Sequence, residues 1–302
     1  MAMNRAQFAA ELQPGLNALF GLEYKQYKDQ WKAVFDYNTS EKAFEEDVLL
    51  EGFSEAPEKS EGSMVSYETA SEVWTARYNH LTYALAFSIT EEAEEDNLYG
   101  SLGRRYVKAL ARSMAHTKDI TGATVLNNGF NSSFTGGDSK ELLATDHPTT
   151  AGGNQSNELT TAADLTETSL EQLLINISVA KDDKNVPAAF TGKTLVIPPQ
   201  LVFTAERLLK SQLRTATADN DINAINSAGY IPNGYHVVQR LTDTDAWFIK
   251  TDCSDGLKYF QRAAMKKGME GDFETGNIRY KCRERYSFGW TDWRGIYGSP
   301  GA

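Results

Sequence analysis

Residues with the chemistry for catalysis or metal binding are sparse in this 302-residue chain. His147 follows Asp146 in ATDHPTT, a pair that could serve hydrolysis as a general base with an orienting carboxylate. No GxSxG supplies a nucleophile for it, and the polar surroundings read as an exposed loop histidine. The acidic run DTDAWFIKTDCSDG (243–256) has the look of a calcium loop. Its spacing fails, because Ala246, Trp247, Phe248 and Ile249 stand where oxygen donors and the loop glycine belong. Cys253 and Cys282 have no CxxC or Cys/His cluster around them, which argues against metal and disulfide scaffolds. HExxH, a P-loop and a Gly-rich dinucleotide turn are all missing, and the adjacent Glu45 and Glu46 lack an apolar pocket to separate their pKa values. The expectation is no catalytic residue, no cofactor and no metal: a chain that is not an enzyme.

Charge says more. With 30 basic and 41 acidic residues, a net charge of -11 and a pI near 5.0, the chain as a whole should repel nucleic acid. The charge is unevenly spread. Residues 41–61 are acidic, with Glu55, Glu58 and Glu61 in the breaker-rich stretch GFSEAPEKSEG, whereas residues 258–294 are net basic and include Arg283 and Arg285. Either these are two solvated faces, or they meet between copies of the chain. Arg104, Arg105, Lys108 and Arg112 form a second basic group that could touch phosphate, with aromatic residues interleaved as in single-strand binders. Solvation, or pairing with acids of a neighbouring copy, fits the net charge better. No stretch approaches the roughly 18 apolar residues of a membrane span, and MAMNRAQFAAELQPG lacks a signal-peptide layout, so a cytoplasmic product without an anchor is expected.

Several elements are needed to position these charges. Residues 3–12 and 22–35 read as short segments of an arm, broken by Pro14, Gly15 and Gly21. Met64–Tyr67 and Glu72–Tyr78 can pair as a polar, projecting hairpin. Leu81, Tyr83, Leu85, Phe87 and Ile89 alternate with small or polar residues, the pattern of a half-buried strand. It runs into a long helical pattern over 91–118, roughly 40 Å at 1.5 Å per residue. A Ser88–Glu91 capping box opens that helix, and Leu98, Leu102, Tyr106, Ala109 and Leu110 make its apolar face. Residues 127–164 are a Gly/Ser/Thr/Asn-rich loop or linker. Beyond it, Thr168 and Glu171 cap a helix, TLVIPP is a buried strand, Pro199 starts a further helix, and HVVQRL and AWFIK flank a TDTD turn. From Ile278 to Trp290, even positions are mostly apolar and odd ones basic, giving a strand roughly 40 Å long at 3.3 Å per residue. It matches the helix in length, so the two can bury their apolar stripes together. Trp290 belongs to that stripe, while Trp293 and Tyr297 lie beyond it and read as contacts between subunits. The class is α+β.

The run LTDTDAWFIKTDCSDGLKYFQR (241–262), the closing strand, the GWTDWRGIYGSPG terminus and GKTLVIPPQLVFTAERLLKS (192–211) together resemble the major capsid subunits of tailed phages, most closely the Mu-like major head subunit family. The resemblance covers most of the chain after Glu51 and implies the Hong Kong 97 (HK97-like) fold. Its parts would be an N-terminal arm (1–50), an extended loop (51–80), a peripheral domain with a spine helix (81–164), an inserted axial domain (165–255) and closing peripheral strands (256–302). It implies a structural subunit that self-assembles into pentamers and hexamers of an icosahedral head around double-stranded DNA, made in the host bacterial cytoplasm. Scaffolding, portal and decoration proteins become possible partners, and DNA contact would be weak and non-specific. Many such subunits carry a cleaved N-terminal scaffolding segment; here only a short arm precedes the loop, so a separate scaffolding protein, or none, is expected. The alternatives are an encapsulin-like nanocompartment shell, which would carry enzyme cargo, and an intracellular hydrolase using Asp146 and His147.

Overall fold

The alternation from Ile278 to Trp290 does form one strand over those 13 residues, and the rest of the molecule is arranged around it. The structure, a computed structural model, describes residues 5–90, 99–214, 221–272 and 275–302. In chain order its elements are α1 (Arg5–Gln26), β1 (Asp36–Thr39), β2 (Phe44–Leu50), β3 (Glu72–Asn79), β4 (Leu81–Ile89) and α2 (Tyr99–Asn127). Next come the short β5 (His147–Pro148) and β6 (Asn154–Gln155), α3 (Glu167–Ser178), β7 (Gly192–Ile197), α4 (Val202–Lys210), α5 (Ala224–Ala228) and β8 (Tyr235–Val237). The last are β9 (Trp247–Thr251), β10 (Leu257–Gly271), β11 (Ile278–Trp290) and β12 (Ile296–Ser299).

The first sheet has the order β1-β10-β11-β4, with β11 antiparallel to both neighbours and β1 parallel to β10. On β11, Ile278, Tyr280, Cys282, Glu284 and Tyr286 are buried while Arg279, Lys281 and Arg283 are exposed. Tyr280 and Cys282 pack with Val107, Leu110, Ala111 and Met114 of α2 and with Leu16 and Phe20 of α1. The spine helix therefore lies over the long strand, but rotated from the expected face: Leu110 is buried, whereas Tyr106 and Ala109 point to solvent. Leu98 and Glu91, the second half of the expected capping box, fall outside the described residues, while Ser88 lies in β4.

Several expectations are corrected. The N-terminal region is not a free arm. α1 is continuous through Pro14 and Gly15, and Trp31, Val34 and Phe35 after it are buried against Tyr259 and Tyr286. Met64–Tyr67 forms no strand; the hairpin pairs β2 with β3, and residues 51–71 are the excursion between them. The α3 cap is Thr166 with Ser169, two residues earlier than expected. HVVQRL and AWFIK are not hairpin partners, since β8 and β9 lie on opposite sides of β7 in a second sheet of order β12-β9-β7-β8. The closing segment is also divided: β10 and β11 complete the first sheet, and β12 crosses to pair with β9 in the second.

Candidate assembly surface

The outer face of the first sheet carries a row of cations. Arg279, Lys281, Arg283 and Arg285 stand opposite Ser88, Ala86, Ala84 and Thr82 of β4. These small neighbours cannot cover the long basic side chains, so the row stays accessible along one edge. Arg279 is held by Asp272. Arg285 is half-buried and turned inward, its Nε donating to the His80 carbonyl at 3.3 Å and its Nη2 to the Ala43 carbonyl at 3.4 Å. Of the two expected interface arginines, only Arg283 is fully presented.

The loop between β2 and β3 is the complementary feature. Every residue from 53 to 71 is exposed, including Glu55, Glu58 and Glu61. It also displays large apolar side chains, with Met64 88% and Tyr67 90% exposed beside Phe53 and Val65. Its root is fixed. Glu51 accepts from the hydroxyls of Ser71 and Thr150, Glu68 accepts from the Ser54 amide at 2.9 Å, and Lys184 bridges both carboxylates at 3.3 Å. The Ser71 hydroxyl, chiefly, holds the Glu51 carboxyl below its ordinary range, and the Ser54 hydroxyl does the same for Glu68. Below the root, the Trp74 indole donates to the Thr291 carbonyl at 2.9 Å and Tyr78 meets the Thr291 hydroxyl at 2.6 Å. A rigid base thus carries an apolar and acidic tip away from the body.

The spine helix presents Arg104, Arg105 and Arg112 to solvent, and Lys108 pairs with Glu23 of α1 at 2.7 Å. On its inner face it carries something the sequence reading missed. Lys118 Nζ lies 2.8 Å from Glu284 Oε2, both side chains almost wholly buried, with Tyr286, Tyr259 and Trp31 ring centres at 5.0, 5.5 and 5.8 Å from the ammonium. Burial pushes the Glu284 carboxyl up and Lys118 draws it back. The signal was present: Lys118 continues the Val107, Ala111, Met114 stripe at helical spacing, and Glu284 is the acid among the even positions of β11.

Trp293 and Tyr297, expected as subunit contacts, are packed inside their own chain. Each is 1% exposed within its own chain. Trp293 stacks on His147 at 4.3 Å between ring centres, nearly parallel. His147 is itself fully buried rather than exposed, with Nδ1 2.6 Å from Asp138 Oδ2 and Nε2 3.1 Å from Asn157 Oδ1. Asn157 donates in turn to the carbonyls of Leu142, Trp293 and Ile296. Asp146 pairs with Lys140 instead of His147. No Asp146–His147 dyad forms, and a sealed histidine offers no general base to a substrate. Arg294 next door is also buried, making a two-pronged contact with Asp183 at 3.2 and 3.3 Å and donating to the Lys181 carbonyl at 2.9 Å. The aromatic terminus is an internal clasp.

Comparison with known proteins gives these features a setting. The model of the family described as "Phage capsid protein" matches residues 73–299, from the foot of the projecting loop to the last strand. The chain belongs to the phage capsid protein family. In fold it is similar to the virus-like particle subunit from Pyrococcus furiosus (TM-score 0.54, 11% identity, 95% of this chain and 98% of that one). It is similar also to the procapsid of bacteriophage JBD30 (TM-score 0.53, 17% identity, 98% and 76%) and the capsid of Myoviridae phage XM1 (TM-score 0.50, 9% identity, 88% and 90%). No curated protein matches it by sequence. This capsid protein has the Hong Kong 97 fold, and its role is that of the major structural subunit of a phage head. The projecting loop, long sheet, spine helix and second sheet are accordingly parts of a tile made to contact its own copies in the virion shell.

Proposed function

We propose that this capsid protein closes into an icosahedral head of pentamers and hexamers around double-stranded DNA, and that its loop at 51–71 is seated on a neighbouring subunit. The carrying observation is the pairing of a fixed root with a wholly exposed tip that displays Phe53, Met64, Val65 and Tyr67. Exposed apolar side chains in this number on a loop of defined base mark a contact surface. The acids Glu55, Glu58 and Glu61 suit the cationic row ending at Arg283, and many modest contacts repeated around a shell sum by multivalency. Trp293 and Tyr297 act from inside the subunit, by holding the clasp. Assembly in the host bacterial cytoplasm, with scaffolding, portal and decoration proteins as partners, accords with this reading. The weak net repulsion of an acidic chain toward DNA lets a genome enter and leave.

Negative-stain imaging of the purified chain is the test: uniform closed shells are expected, and a monodisperse monomer at high concentration would overturn the proposal. Arg283→Glu should impair shell formation while leaving the denaturation midpoint of the subunit unchanged. Normal shells from that variant would remove the cationic row from the interface. Arg285→Glu is a less clean probe, because Arg285 also ties together residues 43 and 80 of its own chain.

A further inference from the structure

A cleft of about 1010 Å³ opens where three parts of the chain meet: the turn after α1 (residues 26–30), the middle of α2, and residues 236–240 at the end of β8. It contains two acids, and both are engaged. Asp119 accepts from the Gln30 amide at 3.1 Å, and Asp29 pairs with Lys32. Of the bases, His236 is tied to the Gln30 carbonyl at 2.8 Å, and Arg240 partly offsets the rise that burial gives the Asp119 carboxyl, but the two arginines hold no direct ion pair. Among the described residues no ion pair holds Arg112, His116 or Arg240, and the Nε of Arg240, sealed from solvent, has no hydrogen-bond partner. Arg112 and His116 are one helical turn apart and so share a face of α2, while Arg240 comes from a different element. Burial first, then Arg240 and Arg112, push the His116 pKa down, the mark of a positive potential in the cleft. Arg105 lies two turns before Arg112, roughly 10 Å along the helix, and is exposed. The cleft therefore continues onto a basic row.

We propose that this cleft is a phosphate site that takes the sugar-phosphate backbone of nucleic acid inside the shell. The inference rests on the DNA-enclosing head argued above. Two guanidinium groups supply planar forks that match phosphate oxygens. A single carboxylate from a neighbouring copy would leave most of the volume unfilled, whereas a nucleotide with its flanking phosphates suits both the volume of about 1010 Å³ and the row leading from it. The site is local, so the net acidic chain can hold nucleic acid at discrete points without being coated by it.

The test is fluorescence anisotropy of a short double-stranded DNA titrated with the 302-residue chain as unassembled subunits, kept below the concentration at which shells close, at several salt concentrations, with inorganic phosphate as competitor. Arg112→Gln/Arg240→Gln should lower DNA affinity roughly tenfold and make the slope of log K against log salt shallower by about 2, one unit per lost phosphate contact. Arg207→Gln, an exposed cation on α4, should change neither. Arg112→Gln alone, at an exposed position, keeps the test readable if the Arg240 substitution unfolds the chain. Unchanged DNA binding in the double variant overturns the proposal. So does binding of inorganic phosphate without DNA, or loss of shells with DNA affinity retained, which would make the cleft the seat of a neighbour's acid. Shell imaging of the wild type in parallel separates the two readings: shells with unaltered DNA binding sink only the cleft, and absence of shells sinks the head.

Discussion

At the scale of single residues, the subunit's most consequential choice is to place an ammonium and a carboxylate between its long helix and its long strand. Lys118 and Glu284 could each have been apolar, and hydrophobic replacements of similar volume often match or exceed a buried ion pair in stability. Removing one partner is different, because it leaves the other charge uncompensated in a site lined by Trp31, Tyr259 and Tyr286. Lys118→Met is therefore expected to cost about 3–5 kcal/mol in urea denaturation of the unassembled subunit. The double variant Lys118→Met/Glu284→Leu should recover most of that loss. A double variant as unstable as the single one would show that packing, and not charge, fixes the register of helix on strand.

At the scale of elements, the loop root is the part most open to a change of pH. The Glu51 and Glu68 carboxyls sit below their ordinary value of 4.5 because hydroxyls, an amide and Lys184 stabilise the charged forms. A depressed carboxyl contributes its stabilisation above the unfolded value and loses it as pH falls through the folded one. The protection factors of the Glu51 and Ser54 amides, with each measured rate referred to the intrinsic rate at the same pH, should accordingly be highest near neutrality and fall below about pH 4.5, while β11 keeps its protection. An equal loss of protection in both would mean that the root has no separate role. The same scale shows what the sequence could and could not tell. β11 was legible because thirteen residues keep strict alternation, interrupted only by the buried Glu284. Its partner β10 was not, because register shifts between Gln261 and Ala263 and between Ala263 and Lys266 flip side chains from one face to the other and erase the period of two. α1 was hidden by Pro14 and Gly15, residues that ordinarily break a helix, although the helix is continuous through both. The exposed tip and the basic row could be read from composition. His147 and the terminal tryptophan could not, since polar flanks look the same whether they face water or a satisfied network of buried hydrogen bonds.

At the scale of the whole molecule, stability and assembly should separate. The tip contributes nothing to either sheet, so replacing residues 55–67 by a short Gly/Ser link should leave the thermal unfolding midpoint nearly unchanged. The same deletion should abolish closed shells in electron micrographs. Shells that form without the tip would shift the burden of assembly to the sheets and the spine helix.

The strand order also bears on timing. β1 near the start of the chain waits for β10, β4 waits for β11, and β7 and β9 are joined by β12, which ends at Ser299. A ribosome making this chain must deliver residues 257–299 before either sheet can close. Each subunit therefore reaches its interlocking shape only after β10, β11 and β12 have been made, and chains that stop short of them carry no completed tile that could be built into a growing wall.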